Sequence, residues 1–447
     1  MADLASGTNT MWVIVAAILV FFMQAGFAFL EIGFSRQKNV GAVVAKILTN
    51  FSICALVFWA VGFAFAFGNG DLIGDAGFFL RPYGDADAYG IMAFSDASVY
   101  SKFFFQFVFA AVSLAIVWGT TLERVKFGVY VIYAIVFSAI IYPIGAHWVF
   151  GGGWLQVNVG MQDFAGSTAV HLIGATGALA ALLHLGPRRG KYTAEGQARA
   201  IPGHSMPLFG LGVLILWLGW FGFNPGSTLG LADNRFAEIV VVTNLAAAAG
   251  VLAALATMWI KTKSFDIGMA GNGAIAALVG ITAGSGYVKP WAGVVIGAVA
   301  GVIVVLGILA IDKKLDDPVG ALSAHGLAGI WGTLACGLFT HPDLAEYNTV
   351  GDGGLVYTGS FTQLGDQALG VVVIFAFVFS LSWITFFLIK KTIGMRVTPD
   401  EEEAGLDISE HGMYGYPEAF IPAAELVGYG GGPNRTVAPA SVSTNEV

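Results

Sequence analysis

Charge is what this chain has least of. Asp, Glu, Lys and Arg make up 11% of its 447 residues, where a soluble domain carries roughly a quarter. The hydrophobic share is 56%, so an ordinary soluble domain is excluded and a membrane protein is indicated. Cysteine is scarce too. Cys54 and Cys336 both sit in apolar runs, which leaves no disulfide framework and no cysteine metal cluster to read. No basic residue precedes the first apolar run in MADLASGTNTMW, so the start lacks the n-region of a cleaved secretory signal and reads as the lead into a true span. The net charge of −8 comes largely from the C-terminal tail and a few loops, and no nucleic-acid partner is implied. The chain shows no Walker motif, no metal-binding spacing and no nucleophile beside a base; neither an enzyme nor a cofactor is expected. Glycine runs such as GNGAIAALVG resemble phosphate loops only superficially, and inside an apolar stretch small residues serve helix packing.

What the chain does have is long apolar runs. A spanning helix needs about 20 mainly apolar residues, and stretches near 11–34, 44–67, 99–121, 126–149, 163–185, 205–224, 236–260, 267–284, 290–311, 317–340 and 366–389 qualify. Cytoplasmic loops collect Lys and Arg. With the N-terminus outside and the C-terminus inside, only Arg81, Lys102, Arg235 and Lys289 of the 21 Lys and Arg fall outside. The others, from Arg36 to Arg435, are then cytoplasmic. Residues 68–98 and 341–365 make two long outer loops. The expected division is a transmembrane domain over 1–390 and a cytoplasmic tail over 391–447. That tail begins basic, turns acidic at PDEEEAGLDISEHG, and after about 425 is rich enough in Gly, Pro, Ala and Ser to be disordered.

Two segments repeat a pattern at the same interval. DFAGSTAVH puts Asp163 eight residues before His171, and DDPVGALSAH puts Asp317 eight before His325. Eight residues are about 12 Å of helix. One segment opens the fifth span from outside and the other opens the tenth from inside, so both imidazoles reach the middle of a slab about 30 Å thick. Five spans, five inverted spans and one extra produce that arrangement, an all-α architecture with the inverted repeat of many transporters and a site near the midplane. A weaker echo joins AGFAF (Phe27, Phe29) to GWFGFNPGS (Phe221, Phe223). The aspartates stand where N-capping carboxylates stand, although Asp163 also suits a role in handling a cation. A lone buried histidine is commonly structural. Two at matched depth, where polar groups are costly, point to a functional pair that passes a small polar molecule or relays a proton. Haem ligation is the rival chemistry; the other five histidines lie near span ends or in loops, so a single haem site is the most that is available.

Aromatic residues gather near the outer ends of several spans. SKFFFQF places Phe105 and Phe109 four apart, on one helical face. WFGFNPGS brings Trp220, Phe223 and Ser227 to the same surface, and AHWVFGGGW adds Trp148, Phe150 and Trp154. Most interfacial aromatics only anchor helices. Converging rings beside a serine hydroxyl would also hold a small cation, at about 0.5–2 kcal/mol per good cation–π contact.

Taken together, MQAGFAFLEIGFSRQKN, DFAGSTAVHLIGATGALAALLHLGPR and GLDISEHG resemble the ammonium transporter / methylammonium permease / Rhesus family over nearly the whole chain. The tail motif favours the ammonium transporter branch. The resemblance implies a homotrimer in the cell membrane (the inner membrane in a Gram-negative cell), with one pore per subunit. His171 and His325 would be the pore pair, Phe109 and Phe223 the stacked gate, and Trp220 would line the pore near it. Phe105, Phe150 and Ser227 would recruit ammonium (methylammonium being its analogue), supported by Asp163 below. Phe150 stands where that branch usually has tryptophan, which keeps the ring face but loses the indole N–H. Ammonium would lose its proton near Asp163 and the gate, and ammonia would pass the histidines. A sensor that signals through its tail is the alternative reading, and in bacteria a PII-type signalling protein would be the partner at the cytoplasmic face. A sodium-coupled carrier of organic solutes would instead need unwound helices and a larger polar pocket.

Overall fold

A computed structural model describes residues 2–84, 86–231 and 234–421. Among them there is no β-strand beyond two isolated bridges. Ten helices among the described residues are long and apolar enough to cross a membrane: α1 Leu4–Phe34, α2 Gln37–Phe67, α3 Val99–Thr121, α4 Phe127–Val159, α5 Ser167–Leu185, α6 Met206–Gly226, α7 Arg235–Thr262, α9 Pro290–Ile311, α10 Leu322–Phe339 and α11 Thr362–Thr392. The run expected near 267–284 forms a shorter helix, α8, Ile267–Thr282. In α4, Gly151–Gly153 interrupt the helix before it resumes as a π turn over Leu155–Val159. The stretch read as the loop 341–365 contains two short helices, Pro342–Asn348 and Leu355–Thr358. Arg435 and the segment read as disordered after about 425 lie outside the described residues.

Small residues decide which helices touch. The α1–α6 seam is the most extensive packing in the molecule, and a Cβ on Gly212 would stand 2.7 Å from the Gly26 carbonyl oxygen. A side chain at either position would push the two backbones apart. α5 and α10 meet by the same device. A Cβ on Gly329 would stand 2.7 Å from the Ser167 carbonyl oxygen, and one on Gly332 2.7 Å from the Ser167 hydroxyl. Polar cross-links then set the register. The Ser167 hydroxyl donates to Val279 O at 2.7 Å and accepts from Ala283 N at 2.7 Å, while the Thr168 and Thr333 hydroxyls meet at 2.6 Å. Such bonds in a bilayer are worth about 0.6 kcal/mol on average, so their role is alignment more than stability.

One face carries the two long loops and the other carries the tail. On the loop face, buried Lys102 donates to Met92 O and Ser95 O, tying the first loop to α3. On the tail face the polar groups form a buried network. Asp316 accepts from the Arg188 backbone N–H at 2.7 Å and from its guanidinium at 2.9 and 2.8 Å. Glu123 accepts from Arg36 at 2.6 and 2.7 Å. The tail docks onto this network through two short helices, α12 Pro399–Ala404 and α13 Leu406–His411. Glu402 receives Arg396 at 2.6 Å and the Arg189 backbone N–H at 2.8 Å, and buried Asp407 accepts from Ala42 N at 2.9 Å.

Burial alone would raise the Asp316 carboxyl, but its Arg188 hydrogen bonds and the charges of Arg124 and Arg188 hold it down at about 2. An ordinary unfolded carboxyl titrates near 3.9. Because the folded value is the lower one, this group stabilises the fold above about pH 4 and loses that contribution as pH falls toward 2. The Asp316→Asn protein is expected to lose about 3–5 kcal/mol at neutral pH, because Arg188 and Arg124 keep buried charges without their partner. Thermal unfolding in detergent from pH 7 to pH 3 checks both the loss and its flattened pH dependence.

Candidate functional site

The two Asp–His segments fold alike. Asp163 accepts four backbone N–H bonds, from Gly166 at 2.8 Å and from Ser167, Thr168 and Ala169 at 2.9 Å each. Asp317 does the same for Gly320 at 3.0 Å and Leu322 at 2.7 Å. Both aspartates therefore cap. In each segment a glycine three residues on, Gly166 (φ 116°) or Gly320 (φ 76°), takes the left-handed backbone that lets the chain turn into the helix. In each, the first turns are π-helical, over Ser167–Leu172 and Leu322–Leu327. The wider turn frees carbonyls for other partners, and Val170 O takes one from Ser113 at 2.7 Å.

Each π turn carries its histidine, and the crossing of α5 and α10 brings the two together. His171 Nδ1 lies 3.2 Å from His325 Nδ1, with ring centroids 5.3 Å apart and planes within 17°. Exposure is 0% for His171 and 6% for His325. Two nitrogens at that distance share one proton, because two N–H groups would collide. Two neutral rings satisfy that arrangement, one donating and the other accepting. Of the two Nε2 atoms, one then carries a hydrogen and the other a lone pair, and that of His171 has no protein partner.

Rings continue the line in both directions. Toward the loop face, Phe223 stands 5.5 Å from His171 and stacks on Phe109 at 4.0 Å and 18°. Trp220 stacks beside His171 at 5.4 Å and 17°, fixed by an Nε1–H bond to Thr282 at 3.0 Å. Toward the tail face, Phe27 lies 6.4 Å from His325. The file separates two cavities. The loop-face vestibule holds about 750 Å³ and is lined by Phe109, Phe150, Asp163, Ser227 and Gln106 among others. The tail-face cavity holds about 20 Å³ between Phe27, Glu31, Asn272 and His325, room for about one water.

The sequence-derived residues divide between wall and support. Phe150, Ser227 and Asp163 line the vestibule, and the Ser227 hydroxyl donates to Phe223 O at 2.9 Å. Phe105 is fully buried behind that wall, 4.6 Å from Phe109 and packed against Gly226. Asp163 spends its lone pairs on four N–H donors, so its carboxyl meets the vestibule in a fixed position. Gln106 went unread in the sequence; its Oε1 is buried without a partner and it lines the vestibule. Its signal was being the one amide in SKFFFQF. Among the described residues no cluster of His, Cys, Asp or Glu has the makings of a metal site.

A helical membrane domain with a ring file between two cavities falls in the class of multi-pass membrane transport proteins. The sequence pattern of the Ammonium Transporter Family matches residues 11–416, and the chain belongs to that family, a multi-pass protein of the cell membrane. It is 44% identical over 429 residues to "Ammonium transporter Amt2" of Archaeoglobus fulgidus, covering 93% of this chain and 89% of that protein. Among solved structures it resembles "Sensor Amt Protein" with a TM-score of 0.84 and 38% identity, over 92% of this chain and all of that one (100%). It also resembles Mep2 of Candida albicans, with a TM-score of 0.80 and 28% identity over 88% and 87% of the two chains.

The Asp163 cap depends on Gly166. A Cβ there would meet Val170 Cγ2 at 2.6 Å and Phe150 Cζ at 3.2 Å. Gly166→Ala is expected to cost about 1–3 kcal/mol and to move the Phe150 ring. Gly365→Ala, where nothing lies within 4 Å, is the neutral comparison in the same thermal-unfolding measurement.

Proposed function

We propose that this chain takes up ammonium, binding the cation in the loop-face vestibule and passing ammonia along the ring file. Eleven spans, α1 to α11, run as five, five inverted and one, with the N-terminus outside and the C-terminus inside. Residues 1–390 form the transmembrane domain and 391–447 the cytoplasmic tail. Three copies form the working assembly, each with its own pore.

The shared proton of His171 and His325 carries this reading. A bare ammonium ion in an apolar file would pay an ionic desolvation cost of tens of kcal/mol in the dry limit. The file offers only ring edges and one neutral donor–acceptor pair. Ammonia, which both donates and accepts, fits it. In the vestibule the cation meets the faces of Phe150 and Phe109 and the hydroxyl of Ser227, with Phe105 supporting the gate from behind. Asp163 supplies a fixed negative charge at the floor, near which the proton is released. Phe109 and Phe223 are in contact at 4.0 Å, so the rings must turn for each passage, and hydrated ions are excluded. Trp220 holds the plane of His171. Phe150 offers less cation–π attraction than tryptophan and no N–H, which weakens vestibule affinity without altering the file.

One observation favours a second reading, the similarity to a structure titled "Sensor Amt Protein". In that reading ammonium binding signals through the tail, which docks on the loops at the tail end of α1, α3 and α5. A PII-type protein would bind the same face.

Radiolabelled methylammonium uptake into proteoliposomes, with and without a membrane potential, decides between them. Transport predicts saturable uptake above protein-free vesicles; a sensor with a closed pore predicts none. His171→Ala is expected to lower selectivity for ammonium over potassium by about tenfold or more, the factor about 1.4 kcal/mol gives. A variant current that keeps its selectivity would contradict the filter role.

A further inference from the structure

Asp163 and Asp317 head matching segments, and in each the preceding residue ties the segment to the rest of the fold. At the tail face that residue is Asp316, held by the charged Arg188. At the loop face it is Gln162, held by neutral amides. Its backbone N–H donates to Gln367 Oε1 at 2.7 Å, and its carbonyl accepts from Gln367 Nε2 at 2.6 Å. One side chain of α11 grips both backbone groups of residue 162, as a paired strand would.

The Gln162 side chain reaches the other way. Its Nε2 donates to Val350 O at 2.8 Å and Asp352 O at 3.0 Å, and its Oε1 accepts from the Thr340 hydroxyl at 2.7 Å. Gln363, one turn before Gln367 on α11, closes the ring. Its Nε2 donates to Gly160 O and to Gln367 Oε1, both at 3.0 Å, and its Oε1 accepts from Asp352 N at 2.6 Å. The second N–H of Gln367 goes to Thr333 O at 2.9 Å. Every amide N–H of the three glutamines is used, and none of the three is more than 1% exposed. A buried polar network satisfied throughout is rigid and specifies one geometry.

That geometry joins two walls of the vestibule. Gly160 and Asp163 line it from the segment of Gln162, and Val350 and Gly351 line it from the stretch between the two short helices of the second loop. The walls touch. A Cβ on Gly160 would stand 3.1 Å from Gly351 Cα, and one on Gly351 2.5 Å from Gln363 Oε1. Both glycines are left-handed, at φ 80° and 66°. The histidine pair is placed by other means, the α5–α10 glycines and the Ser167 bonds. The amide ring therefore bears on the vestibule more than on the ring file.

We propose that Gln162 is a positioning residue for cation binding. With Gln363, Gln367 and Thr340 it holds the wall at Val350 and Gly351 against the segment that carries Asp163. This rests on the transport reading above. A wall fixed before the cation arrives spares binding the cost of ordering it, so the amide ring sets vestibule affinity. α11, the span left over from the five-plus-five repeat, supplies two of the three amides and so has a part in each pore.

The test separates affinity from turnover. Full-length protein in proteoliposomes takes up radiolabelled methylammonium over a concentration series, and rates are scaled to folded protein. Gln162→Met removes the amide at similar length. Thr340→Val removes only the hydroxyl that donates to Gln162, at similar size, and decides the matter if the first variant does not fold. In Gln162→Met the half-saturating concentration is expected to rise about tenfold, equivalent to about 1.4 kcal/mol, with a smaller fall in maximal rate. Thr340→Val is expected to shift it in the same direction by less. Wild-type half-saturation in the folded variants would overturn the assignment. So would a lower maximal rate at unchanged half-saturation, which would make the ring purely structural. Either result alongside saturable wild-type uptake leaves the transport reading intact; wild-type protein without saturable uptake would refute that reading and this one with it.

Discussion

Everything in the ring file depends on one contact, two imidazole nitrogens 3.2 Å apart, a spacing that suits a single proton between them. That contact demands that α5 and α10 approach to backbone range, which Gly329 and Gly332 permit by leaving Ser167 nothing to collide with. It also demands that each histidine leave its helix at the right angle, which the π turns supply. Close approach, wide turn and shared proton are one constraint seen at three scales. Its chemical result, in the proposed reading, is a pair of neutral rings offering one donor and one acceptor.

In the proposed reading the vestibule and the file divide the work of recognition. Aromatic faces, a hydroxyl and a capped carboxylate suit a cation with its charge intact. The stacked phenylalanines and paired histidines suit the same molecule without it. Asp163 stands at the boundary, since the four N–H bonds that cap α5 also hold its carboxyl there. Capping and substrate support, which read as alternatives in the sequence, are compatible in the structure.

Much of this was legible in the residues. The Asp–His interval and the apolar runs placed the histidines at equal depth, and the phenylalanines of α3 and α6 were visible as candidates. The contact of the histidines was not, because π turns leave no periodic signature and the glycines that let helices cross look like any others in a chain with 61 of them. SKFFFQF misdirected attention to its rings: Phe105 packs behind the wall and Gln106 stands on it. Lysine and arginine served in the sequence only as topology markers. Lys46 (1% exposed), Lys102 (3%) and Arg124 (0%) are interior, since a bond to a carboxylate or carbonyl across the helix packing leaves no trace in local sequence.

Nitrogen-15 NMR of histidine-labelled protein in lipid at neutral pH examines the shared proton itself. Two neutral rings are expected, one protonated on Nδ1 and the other on Nε2, with coupling between the two Nδ1 nuclei. An imidazolium signal from either ring, or two rings with no coupling between them, would contradict the account.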